Sequence, residues 1–165
     1  MGFLVESWPE NWHRSRLFRM LSLGGYIAFD LPRVVTGLGA VLLLGVAASH
    51  AYLLTRQDTL PWYFAGYAAV VIVGCVLIAG GMGFGRNPRV PQASWLFGSL
   101  LSAVVLGVDV ATRWASLPGL TGVTGRWDVA PVTFALAFAC AFIALHASVL
   151  LGINAAYPHR QHWED

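Results

Sequence analysis

The stretch Trp62–Phe84, WYFAGYAAVVIVGCVLIAGGMGF, decides the fold class, because it is long, apolar and free of charged residues. An α-helix rises about 1.5 Å per residue, so roughly 20 apolar residues cross a hydrocarbon layer about 30 Å thick. Backbone groups in lipid must find hydrogen-bond partners within the protein, which favours a helix over an isolated strand. The stretch is therefore a predicted transmembrane helix.

Three further runs of the same kind flank this stretch, and turn-forming residues separate all four. The predicted spans cover about 34–54, 62–84, 93–114 and 129–153. The predicted fold is all-α: a polytopic membrane protein with a four-transmembrane-helix bundle over 31–154. An N-terminal cytoplasmic or interfacial segment occupies 1–30, and a cytoplasmic tail occupies 155–165.

The composition supports a membrane protein and excludes several other classes. Hydrophobic residues make up 57% of the 165 residues and charged residues only 11%, with a mean hydropathy of +0.64. Soluble domains carry about 25% charged residues, so this chain cannot cover a water-facing surface in the usual way. The net charge of +2 is too small for a nucleic-acid partner, which would require a dense basic face. No soluble substrate is evident either.

The arginines predict the orientation, because positive charges are enriched in cytoplasmic loops. Seven arginines fall on the N-terminal side of the predicted spans and three on the opposite side, which predicts that both termini are cytoplasmic. The predicted location is the cytoplasmic membrane of a bacterium. All seven tryptophans, including Trp95, fall at or near predicted span ends, where tryptophan prefers the membrane–water interface.

The N-terminal segment predicts an amphipathic helix on the inner membrane surface. Ser7 and Glu10 have the spacing of a capping box, and apolar and basic side chains then separate onto different faces. The alternative is a disordered basic tail that only sets the topology. The residues that define the predicted interfacial helix are Trp12, Arg16, Leu17, Arg19 and Met20.

Asp109 is the most informative single residue, because a carboxylate within a span is costly and usually has a partner. Arg113 follows one helical turn later, and His50 lies at nearly the same predicted depth in the first span. The sequence thus predicts a polar intramembrane cluster of His50, Asp109 and Arg113. Its functional interpretation is a proton relay or a site for a polar headgroup or quinone, and its structural interpretation is hydrogen bonding between helices.

No residues in the sequence predict catalysis, a metal site or a cofactor. His50 and His146 are predicted near opposite membrane surfaces, which argues against a haem held by both. Cys75 and Cys140 are predicted near the midplane, as small apolar side chains. His159 and His162 form only a weak metal pattern in the tail.

Small residues recur at helical spacing and predict close helix packing, within the chain or against a partner. The third span carries two such faces, and one of them has no evident use in a bundle of four helices. The predicted packing and partner-interface residues are Gly45, Ser49, Gly98, Ser102, Gly107, Ala111, Ala144, Ser148 and Gly152.

These patterns lead to the expectation of a non-catalytic accessory or stabilising subunit of a larger integral membrane complex. A transporter permease and a respiratory oxidoreductase assembly are the two kinds of complex considered. The first alternative is a small stand-alone membrane protein that handles a lipid or quinone through the His50–Asp109 cluster. A transporter active as a homodimer is less favoured, because only one acid lies within the spans.

Overall fold

The computed structural model describes residues 31–56, 61–84, 87, 89–115, 130–154 and 156. These residues form four α-helices, and each is long and apolar enough to cross a membrane. The described part of the chain is thus an all-helical, multi-pass membrane protein. The predicted interfacial helix and most of the predicted tail lie outside the described residues. The helices are α1 (Pro32–Arg56), α2 (Trp62–Phe84), α3 (Arg89–Trp114) and α4 (Ala130–Leu150).

Proline marks the start of every helix. Pro32 is the first residue of α1, Pro61 immediately precedes α2, and Pro91 and Pro131 lie in the first turns of α3 and α4. The first N–H groups of a helix have no partner within it, so proline costs no hydrogen bond there. This tolerance explains why α3 begins at Arg89, ahead of the predicted residue 93.

The fourth helix ends at Leu150, three residues before the predicted 153, because the chain turns at Gly152. Gly152 has φ of +74°, and the N–H of Ile153 donates to the carbonyl of Ser148 at 2.9 Å. The N–H of Gly152 donates to the carbonyl of Val149 at 3.1 Å. These two bonds form a Schellman motif, whose left-handed residue favours glycine. Gly152, predicted as a packing residue, is instead the residue that ends the helix.

Each helix packs against two of the others. The extensive contacts join α1 to α2, α2 to α3, α3 to α4, and α4 back to α1. Arg113 near the end of α3 reaches Thr133 near the start of α4, so these two helices run antiparallel. We call the two ends of this arrangement the Trp62 end, where α1 and α3 finish, and the Arg33 end, where they begin.

Glycines in the core make room for aromatic rings on other helices. A Cβ atom at Gly45 would lie 2.8 Å from the Phe138 ring, and one at Gly98 would lie 2.7 Å from Phe142. One at Gly39 would lie 2.8 Å from the ring of Trp95. Gly45 and Gly98, predicted to bring helix backbones together, therefore seat aromatic side chains.

Trp95 differs from its predicted place at the membrane surface, because only 2% of it is exposed. Its ring stacks on Phe142 of α4, with centroids 5.4 Å apart, and also contacts the position of Gly39 on α1. An indole placed among three helices buries more apolar surface than one lying at the interface. Trp95 is thus a central residue of the core.

We predict that Gly98→Leu strongly destabilises the chain, whereas Gly107→Leu does not. A side chain at Gly98 collides with Phe142, but no atom lies within 4 Å of a Cβ placed at Gly107. Overpacking a filled core costs about 1–3 kcal/mol. Thermal unfolding of the purified chain in mild detergent measures the difference. Equal stability of the two variants would contradict the observed packing.

Candidate functional site

Polar side chains, most of them buried, gather toward the Trp62 end, and all four helices contribute to them, although Thr133 of α4 is exposed. We call this group the Asp109 cluster, and its members lie in the terminal turns of their helices or close to them. His50, Asp109 and Arg113 are almost completely buried, with 1%, 4% and 2% of each residue exposed. The cluster consists of His50 (α1), Tyr67 (α2), Asp109 and Arg113 (α3), and Thr133 (α4).

Arg113 links α3 to α4 and contacts Asp109 through the main chain. Its Nη1 donates to the main-chain carbonyl of Asp109 at 3.1 Å, and its Nη2 donates to Thr133 Oγ1 at 3.3 Å. The Arg113 guanidinium also acts electrostatically on the Asp109 carboxyl group. The one-turn spacing that predicted this pair therefore does bring the two residues together, with a main-chain hydrogen bond added to the attraction between charges.

His50 and Asp109 both lie in the cluster, but among the described residues no hydrogen bond joins them. The Nδ1 atom of His50 instead lies 2.9 Å from the carbonyl of Val46, one turn earlier in α1. The His50 ring meets the Tyr67 ring edge-on, with centroids 5.7 Å apart. Tyr67 is also within electrostatic range of the Asp109 carboxyl group. Tyr67 thus contacts His50 through its ring, and no hydrogen bond of its hydroxyl group joins it to Asp109.

Some polar atoms of this cluster have no hydrogen-bond partner despite being buried. They include Oδ2 of Asp109 and the hydroxyl oxygen of Tyr67. Most buried polar atoms in native proteins are hydrogen-bonded, and an exception often marks a bound water, a ligand or a functional group. The Asp109 cluster therefore has unused hydrogen-bonding capacity in the interior of the protein.

A second polar group, the His146 cluster, lies toward the Arg33 end and consists of Trp95, Ser99 and His146. Ser99 Oγ lies 2.6 Å from His146 Nδ1, a hydrogen bond between α3 and α4. The His146 ring stacks on Trp95 at a centroid distance of 5.5 Å and an interplanar angle of 27°. The stacking holds the imidazole against the core, so this histidine contributes to packing between the two helices.

An apolar layer separates the two clusters. Leu43, Val71, Cys75 and Val105 lie in it and are essentially inaccessible. His50 and His146 belong to different clusters near opposite ends of the helices, and this agrees with their predicted depths. Two histidines placed in this way are too far apart along the helices to ligate one haem.

Comparison with known proteins does not assign the chain to a family. No protein-family model, curated protein or solved structure matches the chain. Inference about function therefore rests on the geometry of the described residues.

The small residues predicted for packing divide into two groups. Gly98 and Ser102 are buried among the helices, Gly45 is half-buried, and Ser49 donates to the carbonyl of Gly45 at 2.9 Å. Ser148 donates to the carbonyl of Leu145 and accepts a hydrogen bond from Asn154. The exposed group comprises Gly107, Ala111 and Ala144, which point away from the other helices.

In the part of the chain that the structure describes, no three His, Cys, Asp or Glu side chains group together in a way that could hold a metal ion. Cys75 is buried, whereas Cys140 is exposed on α4. His159 and His162, the weak metal pattern of the tail, lie outside the described residues.

Tyr67 and Ser99 are the site residues that the sequence analysis did not identify. Tyr67 lies less than two turns from the start of α2, at a depth close to that of His50, so comparing depths across spans would have found it. Ser99 has no comparable signal, because one serine in an apolar helix is common and its partner is distant in sequence.

We predict energetic coupling between Asp109 and Arg113. Replacing either member of a buried charged pair leaves the other uncompensated and costs about 3 kcal/mol. The double variant Asp109→Asn with Arg113→Gln is expected to lose less than the sum of the single variants, by about 1 kcal/mol or more. Unfolding of the four proteins in detergent measures this coupling. Strictly additive losses would show that the two residues act independently.

Proposed function

We propose that this chain is a non-catalytic accessory subunit that stabilises a larger integral membrane complex. The observation that supports the proposal is the outward surface of α4, which consists almost entirely of small side chains. Phe134 is the one large hydrophobic side chain exposed on this helix. The exposed small residues of α4 are Ala137, Cys140, Ala141, Ala144 and Ala147.

The other helices show what an ordinary lipid-facing surface of this chain looks like. The exposed faces of α1 and α2 carry large aliphatic side chains, including Val41 and Leu77, with 61% and 69% exposed. Lipid packs well against such residues, whereas small residues allow another helix backbone to approach closely. The surface of α4 therefore suits a transmembrane helix of a partner protein.

The neighbouring helix extends this small surface. Ala103, Gly107 and Ala111 are exposed on α3, toward the Trp62 end, and α3 packs directly beside α4. Large side chains such as Leu96 and Leu100 cover α3 toward its other end. We propose that the partner contacts the exposed small residues of α4 and the half of α3 nearer Trp62.

The proposed setting is the cytoplasmic membrane of a bacterium, with a four-helix transmembrane bundle and both termini in the cytoplasm. The distribution of arginines along the sequence supports this orientation, because seven of the ten are predicted on the side where α1 begins. The proposed partners are a transporter permease or a respiratory oxidoreductase assembly. The predicted interfacial helix, through Trp12, Leu17 and Met20, would assist docking.

We predict the orientation from accessibility of introduced cysteines to a membrane-impermeant reagent. With Cys75 and Cys140 replaced by alanine, Leu120→Cys is expected to react from outside the cell, and Pro88→Cys only after permeabilisation. The asymmetry in arginines is the physical reason. Reaction of the Pro88→Cys variant from outside, without reaction at 120, would show that the orientation is inverted.

We predict that Gly107→Leu and Ala144→Leu release the partner without unfolding the chain. Both positions are exposed, so a leucine there enlarges only the proposed contact surface. The measurement is gentle purification of tagged variants from the native host, followed by gel filtration and identification of co-purifying proteins. Ala69→Leu, on the exposed face of α2, is the matched control and is expected to retain the partner.

The wild-type chain decides the outcome of the same experiment. If it migrates as a monomer without any co-purifying protein, both in mild detergent and in nanodiscs, the accessory-subunit proposal fails. Retention of the partner by both leucine variants would instead place the contact on another surface.

A second candidate function has its own support. The unpartnered Asp109 Oδ2 and Tyr67 hydroxyl suit a stand-alone protein that binds the polar head of a lipid or quinone in the Asp109 cluster. His50→Phe retains a ring against Tyr67 but removes the ring nitrogens, so it should abolish binding while preserving the fold. Extraction of bound quinone from both purified proteins tests this, and a wild-type chain that carries none and binds none on addition would eliminate it.

A further inference from the structure

A groove between α1 and α4 is separate from both polar clusters and from the small-residue surface. Its volume is about 590 Å³, within the range of roughly 300–1,000 Å³ that is typical of ligand sites. The walls are largely apolar, and Phe138, packed at the position of Gly45, forms part of the floor. The groove is lined chiefly by Gly45, Ala48, Ser49, Tyr52, Phe134 and Phe138.

The only hydroxyl group deep in the groove needs no polar ligand. Ser49 Oγ already donates to the carbonyl of Gly45 at 2.9 Å. The remaining walls offer carbon atoms to whatever occupies the groove. A transmembrane helix would not fit this surface well, because the aromatic rings of Phe134 and Tyr52 project at the sides, half or more exposed. A flexible hydrocarbon chain fits between such rings.

A positive charge lies next to one of the residues that line the groove. Arg56, in the last turn of α1, places its guanidinium carbon 5.5 Å from the centroid of the Tyr52 ring. Tyr52 lines the groove, so this cation–π contact keeps the charge beside the groove wall, one turn of α1 beyond Tyr52. Tyrosine and arginine at the end of a transmembrane helix lie at the level of lipid headgroups.

We propose that this groove binds one anionic phospholipid, with an acyl chain along Phe134 and Phe138 and the phosphate beside Arg56. Charge complementarity supports the anionic headgroup, and the apolar walls support the chain. The groove opens toward the side of the helices that faces hydrocarbon, so the lipid enters sideways from the bilayer. This site does not require the partner protein of the proposed function.

Native mass spectrometry of the detergent-purified full chain tests the proposal, with dioleoyl phosphatidylglycerol and dioleoyl phosphatidylcholine as probes. Wild type is expected to bind phosphatidylglycerol about fivefold more tightly, the scale of one arginine near an anionic surface. Arg56→Gln should remove this preference, so that the two lipids bind about equally tightly. Ala48→Phe, which fills the groove, should reduce binding of both lipids.

Two variants serve as controls and define the contradicting results. Arg89→Gln removes an exposed arginine at the Arg33 end, and Ala69→Phe adds a ring to the exposed face of α2. Both should bind lipid as wild type does. The proposal is overturned if Arg56→Gln keeps the full preference, if Arg89→Gln loses as much, or if cross-linking from Ala48→Cys in native membranes captures a protein helix. Because Arg56 is exposed at a helix end, its variant tests the headgroup contact even if Ala48→Phe fails to fold.

Discussion

Hydrocarbon offers no hydrogen-bond partners, and this constraint governs both the backbone and the polar side chains of the chain. It requires the four spans to be helices, whose N–H and C=O groups are satisfied internally. It also requires Asp109, Arg113 and His50 to turn inward, where each is almost completely buried. Two serine hydroxyl groups follow the same rule, since Ser49 and Ser148 donate to carbonyls of the preceding turn. Lipid is thus the reason that the polar residues lie within the protein.

The interior is consequently arranged in layers along the helices. A charged and hydroxylated layer lies near the Trp62 end, an apolar layer around Val105 lies in the middle, and the His146 cluster follows toward the other end. In the layer of the His146 cluster, ring stacking joins α3 to α4, because Trp95 stacks on both Phe142 and His146. The glycines opposite these rings leave the space that the rings occupy. Hydrogen bonds between polar side chains and stacking between rings thus both join α3 to α4.

The sequence predicted the helical elements closely, because charge and hydrophobic run length directly report what lipid tolerates. The second helix has the predicted bounds, and the third differs by the first turn alone. The inward position of Asp109 followed from the same reasoning. The buried position of Trp95 could not be predicted in this way. A tryptophan near a span end has two favourable sites, the membrane interface and a pocket in the core. Choosing between them required knowing that Gly39, distant in sequence, would leave space for the ring. The roles of Gly45 and Gly98 were missed for the same reason: a glycine indicates space, but not what fills it.

The shape of the outer surface bears on the two proposed binding partners, because a transmembrane helix and a lipid chain need differently shaped surfaces. A helix that packs on α4 needs a smooth surface that its backbone can approach, which the alanines from Ala137 to Ala147 provide. A lipid chain needs a recess between larger side chains, and the walls of Phe134 and Tyr52 provide it on the α1 side. The two surfaces adjoin on α4, because Phe134 and Phe138 line the groove next to α1 while the exposed alanines lie beside them on the same helix. A lipid in the proposed groove would therefore lie beside a docked partner helix and fill the space at its edge.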